Sequence, residues 1–315
     1  RYVQLFHNAY ESQWWIGWKI FYRGYISTEW KKISILFLVL ICGMMSHAQE
    51  KVHVSEIEER NIDGKMMLYA NEAEYNGIVY ETYSSPKLKY TVQKGLKNGP
   101  YELYFKNGQV NRKTSFKDDK YHGAYEEYYE NGQIKIRTNF KSGKYHGPLT
   151  MYYKNGQKEA DGKHADGRFD GIQKKYYENG NLKSKVSYQN GLKEGPVLKY
   201  YENGDLKETA FYSDDQLEGA YENYYENMML YVKTEYEEGE KQGVFHMYYE
   251  NGHLKRKGYY LKGKENGPFE IYHENGKLKR KGFFKEGKLT GEFETYDEAG
   301  RLVNKTTYKN GQVIG

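Results

Sequence analysis

Few residues of this chain are of types that do chemistry, and their spacing decides what they can do. His122 and His146 occupy equivalent Tyr-His-Gly positions, where other copies carry Glu194, Glu218, Gln242 or Asn266. A position that exchanges these types is a solvated turn and not a metal ligand. His246, His253 and His273 fall in different columns and lack the spacing of a zinc site. Asp161, Asp166 and Asp170 sit among glycines as in a calcium loop, but Lys163 and Ala165 stand where such a loop needs oxygen ligands. The carboxylates Glu130, Glu178, Glu202, Glu226, Glu250 and Glu274 recur identically before Asn, whereas acid–base catalysis needs two unlike environments. There is no Gly-x-Ser-x-Gly elbow, no His-Glu-x-x-His and no phosphate loop. The only cysteine, Cys42, lies in an apolar run. These residues predict no catalytic site, no cofactor and no metal.

One constellation remains, and it suits binding. Tyr128, Tyr152, Tyr176, Tyr200, Tyr224 and Tyr248 recur every 24 residues, and Lys135, Lys183, Lys207 and Lys255 recur seven residues after their tyrosines. Tyrosine gives rigid contact area with a polar tip. A row of such pairs either stabilises a sheet by cross-strand contact, at ~0.2–1 kcal/mol each, or forms an extended recognition strip for another protein.

The elements that position this row follow from the repeat itself. Asn-Gly or its counterpart stands at 107, 131, 155, 179, 203, 227 (Asn-Met), 251, 275 and 299 (Ala-Gly), every step being 24 residues. A second glycine column runs from Gly99 through Gly123 and Gly147 to Gly315. Asn-Gly between alternating segments signals a two-residue type I′ hairpin, and the second glycine then marks the reversal into the next hairpin. In that register Tyr129 faces Ile134 and Tyr128 faces Lys135. Tyr129, Ile134, Thr138 and Phe140 would form the packed face, and Tyr128 with Lys135 the other; a bulge would exchange them. The fold expected is all-β, tandem antiparallel hairpins in an elongated, twisted single-sheet ribbon. Residues 77–315 hold about ten hairpins, the copy starting at Gly77 being degenerate with Ser85-Pro86 at its turn, and residues 49–76 read as a divergent N-terminal cap.

The stretches Tyr176-Tyr177-Glu178-Asn179-Gly180-Asn181-Leu182-Lys183 and Tyr248-Tyr249-Glu250-Asn251-Gly252-His253-Leu254-Lys255 resemble the MORN repeat variant, over residues 77–315. The resemblance implies a hairpin repeat scaffold. Bacterial proteins of this look, with a signal peptide before the repeats, are often labelled antitoxin-like, which would make a toxin the partner.

Composition and leader narrow the setting. Apolar residues are 38 %, thin for compact cores, while Tyr is used 36 times and Gly 34 times. Tyrosine can build a narrow core in a quasi-one-dimensional fold. The net charge is +5, and part of it lies in residues 1–48. What is left over the repeats, about +2, is no footprint for nucleic acid. Lys255-Arg256-Lys257 and Lys279-Arg280-Lys281 form a more basic patch, a solvated face or a contact for anionic membrane or polysaccharide. Lys31-Lys32, an apolar run from Ile33 to Met45 and Ser46-His47-Ala48 read as a signal peptide over residues 31–48, cut after Ala48. That predicts export to the periplasm or cell surface of a Gram-negative bacterium. Residues 1–30, rich in Trp and Tyr, form a leader extension to which no function is assigned.

Overall fold

The computed structural model describes residues 50–315 apart from Ser84, so the signal peptide expected over residues 31–48 and the extension before it lie outside the described residues. The repeats and the strand Lys51–His53 together form one sheet of 27 strands. From Gly77 onward all pairings are antiparallel and follow chain order, short pieces such as Lys120–Tyr121 sharing a partner with the strand after them, which gives a meander. The expected fold class is what is found.

Both turns of the repeat differ from the expected ones. At the Asn-Gly end the Tyr129 amide donates to the Gln133 carbonyl (2.8 Å), and the Gly132 amide donates to the Tyr129 carbonyl (2.9 Å). The link is therefore three residues, Glu130-Asn131-Gly132, and only Gly132 has a left-handed φ, at 84°. Asparagine is used there for its side chain: Asn131 Oδ1 accepts from the Gln133 amide (3.1 Å), as Asn107 does from Gln109 (3.0 Å). The type I′ turn lies at the opposite end, where Ser142 (φ 51°) and Gly143 (φ 81°) both take the conformation it demands. The chain thus reverses four residues before the column of Gly99, Gly123 and Gly147. Gly147 sits instead where the short strand Lys144–Tyr145 breaks before Gly147–Tyr152.

A bulge then sets the faces. Glu127 pairs with Ile136, but Tyr128 pairs with Ile134, so Lys135 is the extra residue. The same irregularity precedes Tyr152, Tyr176, Tyr200, Tyr224 and Tyr248. The pairing of Tyr128 with Lys135 and of Tyr129 with Ile134 is therefore replaced.

Thr138 and Phe140 do lie on the packed face. Large side chains there meet small ones across the ladder: Tyr125 faces Thr138, Val197 faces Ala210, Phe245 faces Gly258 and Phe269 faces Gly282. Tyr125, Val197, Phe245 and Phe269 are buried, each such burial stabilising by roughly 1.5–3 kcal/mol. Beside them runs an aromatic ladder: Tyr90, Tyr101, Phe116, Tyr121, Phe140, Tyr145, His164, Phe169, Tyr188. Its successive ring centroids are 4.3–6.1 Å apart.

The first hairpin, Gly77–Tyr83 with Ser85–Gln93, is closed off by the cap. Strand Lys51–His53 pairs with it in parallel, the one parallel pair among the described strands. A small sheet, Glu58–Ile62, Lys65–Ala70 and Ala73–Glu74, follows. Val52, Leu68 and Tyr75 are buried with Val79, Tyr90 and Val92, and the Leu68 amide donates to the Gly95 carbonyl at 2.7 Å. The cap supplies apolar cover that a preceding repeat would otherwise give.

Candidate functional site

The two neighbouring tyrosines of each repeat have different work. The second one reaches forward: Tyr129, Tyr153, Tyr177, Tyr201, Tyr225 and Tyr249 each donate a hydroxyl to the main-chain carbonyl of the first tyrosine in the next repeat. These distances are 2.6–2.9 Å. His273 takes the same place, its Nε2 lying 3.1 Å from the Tyr296 carbonyl. The turn asparagines tie the same rim, Asn107, Asn155 and Asn179 donating to the carbonyls of Glu130, Glu178 and Glu202 at 3.0 Å. At the other rim the Gly143, Gly167 and Gly191 amides donate to Tyr121, Tyr145 and Phe169 of the repeat before, at 2.8–2.9 Å.

The lysines foreseen beside the first tyrosines lie beside the second ones. Lys135, Lys183, Lys207 and Lys255 stand over the rings of Tyr129, Tyr177, Tyr201 and Tyr249, with Nζ 4.9–5.9 Å from the centroids. Lys135 also pairs with Glu127 at 2.9 Å, and Glu127 alternates with Tyr125 on the aromatic face. The extra residue of the bulge has turned these lysines through the sheet. Tyr128 and the rest of its column remain on the opposite, charged face, so the expected tyrosine and lysine rows are divided between two faces.

The first tyrosines have other company. Cross-strand partners share a face, and following them across the sheet gives one row of alternating charge. It starts Lys89, Glu102, Lys113, Glu126, Arg137 and ends Lys257, Glu270, Lys281, Glu294, Lys305. Ion pairs close along it: Arg137–Glu126 at 3.1 Å, Lys233–Glu222 and Lys257–Glu270 at 2.8 Å, and Lys281–Glu294 at 2.9 Å. The tyrosine two residues after each glutamate donates to it, Tyr104 to Glu102 and Tyr128 to Glu126 at 2.7 Å, Tyr224 to Glu222 at 2.5 Å, and likewise Tyr272 to Glu270 and Tyr296 to Glu294.

The protonation equilibria follow. Burial, then the Glu126 carboxylate, pushes the Tyr128 phenol up to about 12. The Glu222 carboxylate, then burial, does the same to Tyr224. Glu294, receiving Tyr296 and Lys281, is lowered to about 2. These groups are fixed in one charge state at neutral pH, as recognition requires.

The forward-reaching tyrosines, the turn asparagines and the charged row were missed from the sequence. Their signals were there: the second tyrosine column is nearly as regular as the first, and the positions of Glu126 and Arg137 carry opposite charges in five repeats. Among the described residues no group of three or more His, Cys, Asp or Glu is placed to hold a metal.

Comparison with known proteins adds the following. The family model described as MORN repeat variant matches residues 97–118, 121–142, 169–190, 193–214, 241–262, 265–286 and 289–310. The two repeats it passes over hold His164, in place of an aromatic residue, and Met228, in place of the turn glycine. No curated protein matches the chain. Among solved structures, one titled "Crystal Structure of TcdB2-TccC3-Cdc42" is similar over 74 % of this chain and 13 % of that chain. Its identity of 13 % and TM-score of 0.20 carry no argument.

Proposed function

The chain belongs to the MORN repeat family, and from that premise we propose that it is a non-enzymatic, exported scaffold that binds another protein along the charged face of its sheet. Repeats of this family serve generally as scaffolds for proteins and lipids. The observation that carries the reading is the division of labour between the faces. The aromatic face holds the buried side chains and the stacked ladder, of which Tyr145 alone is exposed, and both rims are tied by bonds between repeats. The charged face keeps Tyr128, Tyr152, Tyr176, Tyr200, Tyr224 and Tyr248 in a row, on alternate hairpin strands. Rigid tyrosines flanked by fixed charges favour an extended protein partner.

A protein is favoured over a lipid surface by the pairing of the cations. Lys233, Lys257 and Lys281 lie 2.8–2.9 Å from glutamates, so the row offers little net positive charge to a polyanion. Export rests on the leader at 31–48, and an N-terminus at Gln49 in the purified native protein tests it.

The test of the scaffold is photo-crosslinking in the native host from Tyr176 and Tyr200, compared with Lys183 and Lys207 on the opposite face. One dominant protein adduct from the tyrosine positions alone is the expected result. Equal adducts from both faces, or none, would sink the reading.

A further inference from the structure

The alternating row is interrupted singly at Thr150 and at His246, and over four consecutive positions in the middle of the sheet. Between Asp161 and Glu222 it reads Lys174, Lys185, Leu198, Thr209, with Lys174 directly opposite Lys185 and Lys185 opposite Leu198. Like charges directly opposite destabilise a sheet. The single interruptions leave no cation without a carboxylate. Thr150 stands between Arg137, paired with Glu126, and Asp161, and His246 stands between Lys233 and Lys257, each of which keeps a glutamate on its far side. Lys185 has no carboxylate on either side. Lys174 faces Asp161, which is shared with Lys158 at 3.8 Å and with the Tyr176 hydroxyl.

The partner of the neighbouring tyrosine changes at the same place. Leu198 stands where a glutamate would receive the neighbouring tyrosine, so Tyr200 lacks the partner that Tyr128 and Tyr224 have. The adjoining row on this face carries Ile172, Ser187, Pro196 and Phe211, with Ile172 and Phe211 47 % and 44 % exposed. It runs on through Val244, Tyr259 and Phe283, also exposed, but in repeats whose lysines keep a glutamate beside them. Two consecutive hairpins therefore present apolar groups, tyrosines and two lysines, without a carboxylate in their part of the row. The centre of a protein interface has this composition, apolar and aromatic with few charges.

We propose that this window, Ile172, Lys174, Lys185, Pro196, Tyr200 and Phe211, is where the scaffold's partner docks, and that the docked element is an acidic protein segment with apolar side chains beside its carboxylates. The inference rests on the scaffold reading above. Charge complementarity decides the partner: a carboxylate laid between Lys174 and Lys185 restores the alternation, and Tyr200 can donate to it. Apolar neighbours in that segment would cover Ile172 and Phe211. Two lysines on an otherwise neutral row are too few to hold a membrane by charge.

The test uses the repeat-bearing chain from Gln49 and a displayed library of random peptides about a dozen residues long. The wild-type protein should enrich peptides combining Asp or Glu with Leu, Phe or Tyr. Lys185→Glu and, independently, Phe211→Ser should weaken the enriched peptide by at least about tenfold, while Lys207→Glu on the opposite face leaves it unchanged. Lys185→Glu should also raise the melting temperature, because it repairs the row. No enrichment, enrichment of basic or uncharged peptides, or undiminished binding by Lys185→Glu would overturn the proposal. So would Lys185-dependent binding of phosphatidylglycerol vesicles, which would give the window to lipid. A Tyr200 crosslink that survives Lys185→Glu would remove the window and leave the scaffold reading standing; loss of every crosslink in the wild-type chain would remove both.

Discussion

Tyr129 donates its phenolic hydroxyl to the main-chain carbonyl of Tyr152, 2.7 Å away and 23 residues on. The bond runs from the rim of one hairpin to the rim of the next. It satisfies a carbonyl at the bulged position of the ladder and holds the ring under Lys135. Repetition makes it a property of the interface between repeats, and stability in such folds is largely a sum of these interfaces.

Removing one such hydroxyl should therefore cost the whole array a single hydrogen bond. Tyr153→Phe or Tyr177→Phe is expected to lower the free energy of unfolding by about 0.5–1.5 kcal/mol, read by urea denaturation. The loss is bounded because Phe105 already occupies this column, without a hydroxyl. The same change at Tyr200, in the first column, should leave stability nearly unaltered. Equal losses in both columns would show that the forward bond is not what distinguishes them.

The packed face holds threonines whose hydroxyls gain nothing from burial. Thr138 and Thr234 are 2 % and 1 % exposed, and their Oγ1 atoms have no hydrogen-bond partner among the described residues. Val186 and Ala210 fill the same column in other repeats. Thr138→Val and Thr234→Val should each stabilise the protein by about 1 kcal/mol, since an unsatisfied buried donor is replaced by a methyl group of similar size. A destabilised variant in calorimetry would show that the hydroxyl is satisfied in solution.

His164 gives the aromatic ladder a pH-sensitive point. Its ring lies between Tyr145 and Phe169, with centroids 5.3 and 4.3 Å away, and it is buried. Burial lowers its pKa below the ordinary 6.5. A base with a depressed folded pKa stays neutral in the fold, so its contribution is complete above 6.5. As the pH falls below that value the unfolded chain takes up the proton first, and stability declines until the folded pKa is passed. The stability of His164→Phe relative to wild type should accordingly grow as the pH is lowered from about 7.5 to about 5. A constant difference across that range would mean that His164 does not titrate differently in the two states.

Much of this fold is legible in the sequence, because a period of 24 residues with invariant Gly and Tyr columns has few other meanings. The faces are not legible. Side-chain direction in a strand alternates with period two, so one extra residue in each repeat, at Lys135 and its counterparts, carries the lysines of this column to the other side. Nothing in the identity of Lys135 announces the bulge. Asn131-Gly132 misleads for a related reason, since asparagine serves a type I′ turn through its φ but serves this turn through its side chain. The first tyrosine column could be chosen from its regularity alone. Its neighbours Glu126 and Arg137 leave a signal as well, opposite charges in five repeats, but it becomes a row only when residues from successive strands are set side by side.

The C-terminal repeats allow packing to be separated from backbone conformation at two glycines that face phenylalanines. Gly258 and Gly282 both lie mid-strand, opposite Phe245 and Phe269, and neither has a left-handed φ. A Cβ at Gly258 would meet only Phe269 Cβ, at 3.6 Å, which is ordinary contact. A Cβ at Gly282 would approach Phe269 Cε1 to 2.8 Å and Phe293 Cδ2 to 3.2 Å. Phe269 is itself buried, so its ring has little room to withdraw. Gly258→Ala should therefore be neutral or stabilising, because glycine weakens a strand interior. Gly282→Ala should cost about 1–3 kcal/mol by overpacking. Combining Gly282→Ala with Phe269→Leu should recover part of that loss in urea denaturation, since the shorter side chain vacates the position of Cε1. If the double variant is no more stable than Gly282→Ala alone, the glycine is held by something other than the Phe269 ring.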